Sequence, residues 1–294
     1  MKPAPFEYHA PDSLEEALAI LRDTGSDSKL LAGGQSLVPA MNFRVVQPSV
    51  LIDLNRIPEL NYIRADPGVL RIGAMTRERQ LELDPVIAKA APLLAEAMPH
   101  VAHPQIRNRG TLGGSVAHAD PAAELPVIML ALGARLKARS ASNERWIDAQ
   151  NFFSGMFSTD LAPDEMLVEI ELPPGPPLTG WSFMEVAPRA GDYALMGVAA
   201  LLTLDEDGSC KQARLVYLNA GDGPVDAKEA AKALEGQRLE DSVFEAAAGA
   251  ASQSDITPFG NIHASAEFQQ HLAQVLTRRA LKQAFERAGK DHLQ

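Results

Sequence analysis

The pattern of apolar and polar residues near the N-terminus predicts a helix between two short strands. Ser13 and Glu16 form a capping box that opens a helix with apolar residues at helical spacing. The apolar segments at residues 29–31 and 50–54 are short and bounded by polar residues, which is typical of buried strands. We therefore expect residues 6–56 to form a small βαβ-like unit.

The middle of the chain alternates predicted strands with predicted helices. An apolar strand is expected at residues 69–73 and a helix at residues 85–98. Asp120 and Pro121 have the residue types of an N-cap and a first helical position. A further helix is therefore expected to run from them to about Leu132.

A proline-rich segment separates this part from the C-terminal third. Residues 173–177 read Pro-Pro-Gly-Pro-Pro, which neither a helix nor a central strand accommodates. Three strands and then three helices are predicted beyond it, at residues 181–186, 195–204, 213–219, 227–235, 241–253 and 264–288. Asp226 is expected to cap the first of these helices. The predicted domains are residues 1–56, 57–175 and 179–290, the last an α+β unit.

Composition narrows the range of functions. The 294 residues are 46% apolar, with no run near the ~20 residues of a membrane span. The N-terminus has no hydrophobic signal region, so a cytoplasmic location is expected. A net charge of −11 argues against nucleic acid as a partner. Cys210 is the only cysteine, so neither an internal disulfide nor an iron–sulfur cluster held by this chain alone is possible.

Two short glycine-rich segments are the strongest sequence signal. The first glycine string is Ala32, Gly33, Gly34, Gln35 and Ser36, and the second is Thr111, Leu112, Gly113, Gly114 and Ser115. Adjacent glycines allow several backbone N–H groups to converge, and such a concavity binds anions. Two strings on one chain suggest a ligand with two adjacent phosphates held from both sides, although either alone could be a plain tight turn.

Charged residues near the second glycine string are further candidates. Arg107 and Arg109 could lend positive charge to phosphates, or they could simply be solvated. Asp120 is explained by helix capping. Glu124 lies four residues further on, so a shared helix would place both carboxylates on one face. A hydroxyl-bearing ligand such as a ribose explains Glu124 better than helix stability does.

Other chemistries have weaker support. The histidines at 100, 103 and 118 lack the spacing of a zinc site. Nucleophile-elbow, Walker and Rossmann glycine motifs are all absent from the sequence. Tyr193 follows a glycine in a loop, where it could lie against a planar ligand or simply begin a strand.

The chain resembles the FAD-binding medium subunits of molybdenum hydroxylases, a family that includes carbon monoxide and xanthine dehydrogenases. Both glycine strings carry the resemblance, together with Asp-Pro-Ala-Ala-Glu-Leu-Pro at 120–126 and Gly-Asp-Tyr-Ala at 191–194. It implies an α+β chain with the two-subdomain FAD-binding fold of vanillyl-alcohol oxidase-like enzymes, followed by a C-terminal α+β domain. Non-covalent FAD is implied on this chain, and no metal.

The resemblance also implies roles for individual residues. The implied cofactor-binding residues are Ala32, Gly33, Gly34, Gln35, Ser36, Val101, Thr111, Leu112, Gly113, Gly114, Ser115, Asp120, Glu124, Leu167 and Tyr193. The glycine strings would grip the diphosphate with backbone amides, and Tyr193 would lie against the flavin ring. No side chain is implied as a catalytic acid or base.

Partners follow from the same resemblance. A molybdopterin-binding large subunit would oxidise the substrate, and two [2Fe–2S] clusters on a small subunit would pass electrons to FAD, in a dimer of heterotrimers. Glu185 departs from the family, because many relatives carry a basic residue in this segment. The alternatives are a stand-alone FAD-dependent oxidase or dehydrogenase and a flavin-free scaffold subunit.

Overall fold

The computed structural model describes residues 1–290 and begins with a small parallel sheet. Its elements are β1 (Glu7–His9), α1 (Leu14–Thr24), β2 (Ser28–Leu31), α2 (Leu37–Asn42) and β3 (Val50–Asp53). The strand order is β1-β3-β2, and Leu31 pairs with Asp53. The ends of β2 and β3 therefore lie side by side, and the first glycine string leaves the sheet at this edge.

The middle of the chain forms a five-stranded antiparallel sheet covered by short helices. Its elements are β4 (Ile63–Asp66), β5 (Val69–Gly73), α3 (Glu78–Leu83), α4 (Pro85–Ala90), α5 (Pro92–Ala97), α6 (Pro104–Arg107), α7 (Leu112–His118), α8 (Glu124–Ala131), β6 (Arg135–Arg139), β7 (Glu144–Asp148), α9 (Ala149–Phe152), β8 (Phe153–Gly155), β9 (Ser158–Thr159) and β10 (Met166–Leu172). The strand order is β4-β5-β10-β6-β7, with β8 and β9 as a separate hairpin. The last strand, β10, therefore returns to the centre of this sheet.

The C-terminal part is an antiparallel sheet followed by helices. It contains β11 (Thr179–Val186), β12 (Met196–Leu204), β13 (Cys210–Leu218), β14 (Val225–Asp226), α10 (Lys228–Leu234), α11 (Asp241–Ala250) and α12 (Ala266–Lys290). The four strands pair in chain order. One face of this sheet packs against α10, α11 and α12, and the other joins the core around α8. Every residue of α8 is consequently buried, including its first, Glu124.

The predicted strands are found within a few residues of their expected positions, but three helix predictions are wrong in detail. The helix expected at 85–98 is broken into α4 and α5, because Pro92 lacks an N–H and disfavours a helical Ala91.

Among the described residues, no helix combines the length and apolarity needed to cross a membrane.

The other two errors concern helix starts. Asp120 does not cap a helix: its carboxylate accepts from the Ala122 N–H within a local turn, and α8 begins only at Glu124. The two carboxylates therefore do not share a helix face. Asp226 does not cap α10 either; the Asp255 carboxylate accepts from the N–H groups of Glu229 and Ala230 at 3.0 and 2.9 Å. This cap comes from a residue 26 positions away in the chain, so local sequence could not indicate it.

Candidate cofactor site

The first glycine string connects β2 to α2 and exposes a row of backbone donors. Gly34 has a φ of +74°, a conformation that favours glycine. Within residues 1–290, no carbonyl or side chain accepts from the N–H groups of Gly33, Gly34, Gln35 or Ser36. The string lines an open cleft of about 340 Å³. Gly33, Gly34 and Gln35 line this cleft. Consecutive unpaired N–H groups in such a position are suited to binding an anion.

The second glycine string is not the amide-lined turn that the sequence suggested. It forms the start of α7, and the Thr111 hydroxyl accepts from the Gly114 N–H at 3.1 Å. The N–H groups of Leu112 and Gly113 donate to the carbonyls of Thr76 and Ala74 at 3.0 and 2.8 Å. The N–H groups from Leu112 to Ser115 are therefore satisfied inside the protein.

Gly113 is required for close packing rather than for an anion cradle. A β-carbon at Gly113 would lie 2.5 Å from the β-carbon of Ala74, just beyond β5. No side chain fits there without displacing the backbone.

The two glycine strings lie against each other. A β-carbon at Gly33 would stand 2.4 Å from the carbonyl oxygen of Arg109 and 2.7 Å from the α-carbon of Gly110. A β-carbon at Gly114 would stand 3.3 Å from that of Ala32. The convergence that the sequence suggested is therefore present, although the N–H groups from Leu112 to Ser115 of the second string are already paired.

Side-chain hydrogen bonds support the contact between the two glycine strings. Asn55 Nδ2 donates to the Ala32 carbonyl at 2.9 Å. The Arg77 guanidinium donates to the Arg109 carbonyl and, at 2.5 Å, to the Asn55 side-chain oxygen. Asn55, Asp53 and Arg109 line the cleft beside the first glycine string. The sequence analysis did not predict Asp53, Asn55 or Arg77 as site residues. Asp53 and Asn55 could have been found from the predicted strand at 50–54, because its end can lie beside the end of a parallel strand at 29–31.

The two candidate arginines have different environments. Arg107 is 4% exposed and forms a two-bond ion pair with Glu82 at 2.8 and 3.0 Å. It also donates to the carbonyls of Val101 and Ala102. Arg107 is therefore a structural residue, whereas the exposed Arg109 remains available to a ligand in the cleft.

The other predicted residues extend from the second string towards the C-terminal sheet. Tyr193 is 68% exposed, and its pKa is raised by partial burial and by the charges of Asp120 and Glu124. Burial raises the pKa of Glu124 to about 7, and the charge of Glu185 adds to the shift. Tyr193 therefore lies within electrostatic range of Asp120 and Glu124.

The loop that carries Tyr193 is held by a second close approach. Gly191 has a φ of +85°, and a β-carbon there would stand 2.1 Å from His103 Nδ1. The loop thus packs directly on the Val101–His103 segment. Val101 and Leu167 are 7% and 5% exposed and belong to the large central core, so they form part of the wall behind the site rather than its surface.

These residues fit a dinucleotide. Unpaired N–H groups and the Arg109 guanidinium suit a diphosphate. Two buried carboxylate oxygens without partners, Glu78 Oε2 and Glu185 Oε2, suit hydroxyl or N–H donors. An exposed tyrosine ring suits a planar ring system.

Comparison with known proteins identifies the family. The family described as "FAD binding domain in molybdopterin dehydrogenase" matches residues 4–175, and "CO dehydrogenase flavoprotein C-terminal domain" matches residues 181–284. This chain belongs to that family of FAD-binding subunits. The resemblance, the fold class and the assignment of FAD to this chain are thereby confirmed.

Two individual relatives match this flavoprotein subunit over nearly the full length of both chains. It is 43% identical to the 6-hydroxypseudooxynicotine dehydrogenase complex subunit alpha of Paenarthrobacter nicotinovorans, over 98% of this chain and 97% of that protein. It is 37% identical to the carbon monoxide dehydrogenase medium chain of Hydrogenophaga pseudoflava, over 98% and 100%.

A solved structure gives the same result. Carbon monoxide dehydrogenase from Hydrogenophaga pseudoflava matches with a TM-score of 0.94 at 39% identity, covering 98% of this chain and 99% of that one. The flavoprotein subunit is thus the FAD-carrying electron-transfer component of a molybdenum hydroxylase, an oxidoreductase, as predicted. One of these relatives is named as a subunit of a dehydrogenase complex and the other as a medium chain.

Proposed function

We propose that the FAD diphosphate binds to the unpaired N–H groups of the first glycine string and to the Arg109 guanidinium. The observation that carries this proposal is that the N–H groups from Gly33 to Ser36 have no protein acceptor in the described chain, and that Gly33, Gly34 and Gln35 line the cleft together with Arg109. Gln35 supports the string by donating from Nε2 to the Gly33 carbonyl at 2.9 Å. The second string and the residues just before it pack against Ala32 and Gly33 and hold them in position.

The remaining residues of the proposed site extend away from the diphosphate. They are Thr111, Leu112, Gly113, Gly114 and Ser115 of the second string, then Asp120, Glu124 and Tyr193, with Val101 and Leu167 behind. Glu124 accepts from cofactor hydroxyl or N–H groups, and Tyr193 lies against the flavin ring. When bound, FAD supplies the electron-carrying chemistry, and these residues position it and limit its exposure to water.

We further propose that the chain works within a dimer of heterotrimers. Its full-length similarity to a medium chain and to a subunit of a dehydrogenase complex supports assembly with a molybdopterin-binding and a [2Fe–2S] subunit. The three units 1–56, 57–175 and 179–290 are proposed as domains, because each contains one of the three larger sheets. A cytoplasmic location stays a prediction, to be tested by cell fractionation.

Calorimetry with three flavins tests the binding mode. The full chain, freed of flavin, is titrated with FAD, FMN and riboflavin. Tight binding of FAD, weaker binding of FMN and little binding of riboflavin are expected, because only FAD carries the diphosphate. Equal affinity for all three would show that the diphosphate contributes nothing, and no binding of any would favour the scaffold alternative.

A further inference from the structure

The loop that carries Tyr193 has few hydrogen bonds of its own. This Tyr193 loop, residues 187–195, joins β11 to β12. From residue 187 to residue 193, one hydrogen bond is found in the described chain, from the Asp192 N–H to the Arg189 carbonyl at 3.1 Å. The position of the Tyr193 ring therefore depends on what packs against the loop.

The tip of the Tyr193 loop packs on residues 100–103, the segment just before α6. Gly191 has a φ of +85°, and a β-carbon there would overlap the His103 ring and stand 3.1 Å from the Ala102 carbonyl carbon. Because glycine has no β-carbon, the loop can lie directly on this ring. The contact fixes the turn two residues before Tyr193.

A second contact joins the same segment to the end of β11, where the Tyr193 loop begins. His100 Nδ1 lies 3.3 Å from Glu185 Oε1, and the Glu185 side chain is only 5% exposed. The half-buried His100 ring also makes an edge contact with the Phe183 ring, with 5.2 Å between the ring centroids. One short segment therefore contacts the loop at its tip and the strand at its base.

Residues 100–103 are themselves held firmly. Ala102 has a φ of +44°, a left-handed conformation that is unfavourable for a residue with a side chain. The buried Arg107 guanidinium donates to the carbonyls of Val101 and Ala102 at 2.7 and 2.8 Å, which stabilises this conformation. Strained backbone that is held by its surroundings is concentrated at functional sites. The segment is therefore suited to position the loop that packs on it.

We propose that His100 and His103 form a histidine clamp that positions Tyr193. His103 supports the Gly191 turn, and protonated His100 holds the base of the loop through Glu185. The effect on the flavin rests on the proposed function, in which Tyr193 lies against the flavin ring, whereas the clamp itself does not. When His100 is neutral, its attraction to Glu185 is lost, and the loop opens more often.

The charged groups around His100 give the direction of the pH effect. The contact with Glu185 raises the pKa of His100 above the 6.5 of an ordinary histidine, although burial opposes this shift. The charges of Glu124 in α8 and Glu96 in α5 also raise it, and Glu96 is itself paired with Arg287 of α12. Burial raises the pKa of Glu124 to about 7, so Glu124 gains its charge in the same pH range and favours protonated His100 further. The clamp is therefore complete below pH 6.5 and weakens as the pH rises through the raised pKa of His100.

Amide hydrogen exchange on the flavin-free full chain tests the clamp without the cofactor. Exchange of residues 187–195 is measured from pH 6 to 9 and corrected for the intrinsic pH dependence of amide exchange. We expect protection to fall by about fivefold as His100 loses its proton, because a partly exposed ion pair contributes a modest free energy. The β12–β13 turn at residues 205–209 contains no histidine and should keep constant protection. Loop protection that does not change with pH would overturn the role of His100.

Three variants assign the effect to residues. His100→Gln keeps a polar side chain beside Glu185 but cannot be protonated, so loop protection should be low and constant across the pH range. His103→Ala should raise loop exchange about tenfold at every pH, because the Gly191 turn loses the ring beneath it. His263→Gln, in an exposed segment, should match the unaltered chain.

The outcomes that contradict the clamp are specific to each histidine. A pH profile that is unchanged in His100→Gln would remove His100, and unchanged exchange in His103→Ala would remove His103. If either variant fails to fold, the pH profile of the unaltered chain still decides the role of His100, and Gly191→Ala decides that of His103. The added methyl group of Gly191→Ala should raise loop exchange, and normal exchange would show that the loop does not lie on the His103 ring.

The FAD-loaded chain gives a second readout and separates the clamp from the proposed function. With FAD bound, the flavin absorption spectrum should change with pH in the unaltered chain and stay constant in His100→Gln. Equal spectral changes in both proteins would show that the clamp does not act on the flavin. A chain whose loop exchange responds as expected but that binds no FAD would contradict the proposed function alone and leave the clamp supported.

Discussion

Gly33 lies so close to Arg109 that a β-carbon on it would stand 2.4 Å from the Arg109 carbonyl oxygen. Two segments more than 70 residues apart in the sequence therefore meet with no room for a methyl group. This contact fixes the first glycine string beside the arginine proposed to contact the diphosphate.

Gly33→Ala should abolish or greatly weaken FAD retention while the chain still folds. The added methyl group collides with backbone atoms, which cannot rotate away as a side chain can. The measurement is flavin content per chain after purification. Gly175→Ala is the matched control, because a β-carbon there meets nothing within 4 Å. Full flavin content in the Gly33 variant would show that FAD binding does not depend on the close contact between Gly33 and Arg109.

Arg109→Gln should weaken FAD binding about tenfold, because a charge-assisted contact to phosphate contributes on the order of 1.5 kcal/mol in a partly exposed site. Titration at low and high salt is the measurement, and the variant should show a smaller salt dependence. Arg238→Gln, in an exposed segment of the C-terminal part, should bind FAD normally. An unchanged Kd would remove Arg109 from the site.

Tyr193→Ala should retain part of the FAD affinity but shift the flavin's absorption spectrum or reduction potential, because an exposed ring that can lie against a planar ligand is lost. Tyr193→Phe keeps the ring and should resemble the unaltered chain in both properties. Identical spectra and potentials in all three proteins would place the flavin ring elsewhere.

Asp255→Ala should lower the free energy of unfolding by about 1 kcal/mol, because it removes the acceptor for two N–H groups at the start of α10. Chemical denaturation measures this change. Asp226→Ala removes the residue that local sequence favours as a cap, and it should cost less. A larger loss from the Asp226 substitution would contradict the cap seen here.

The flavin-free chain should lose stability as pH rises from about 4.5 towards 8. The pKa of Glu78 is raised to about 8 in the folded chain by burial and by Glu124, against 4.5 for an ordinary glutamate. Because folding raises the pKa of Glu78, the protonated carboxyl stabilises the folded state. This contribution to stability is complete below pH 4.5 and is lost as the pH rises to about 8. Glu78→Gln should flatten this part of the stability curve, measured by denaturation at several pH values. An unaltered slope would mean that Glu78 is not the titrating group.

The sequence was informative wherever a signal was local. The strands, the Ser13 cap of α1 and the two glycine strings could all be identified from neighbouring residues. Their meeting was inferred from the need to hold one diphosphate, and the contact of Gly33 with Arg109 agrees with it.

What the sequence could not supply depends on contacts between distant residues. The second glycine string looks like a turn, but the N–H groups of Leu112 and Gly113 donate to the carbonyls of Thr76 and Ala74, just beyond β5. Arg107 and Arg109 look equivalent in the sequence. In the fold, Arg107 is a structural residue because it pairs with Glu82 and donates to two nearby carbonyls. Glu78 carried no motif, and its burial beneath Gly110 is visible only after folding.

The most direct test of the central claim is a structure of the FAD-loaded complex at a resolution that places the phosphates. Phosphate oxygens should lie within about 3 Å of backbone nitrogens between Gly33 and Ser36, with the Arg109 guanidinium beside them. A diphosphate bound elsewhere, with these four N–H groups still unpaired, would contradict the account.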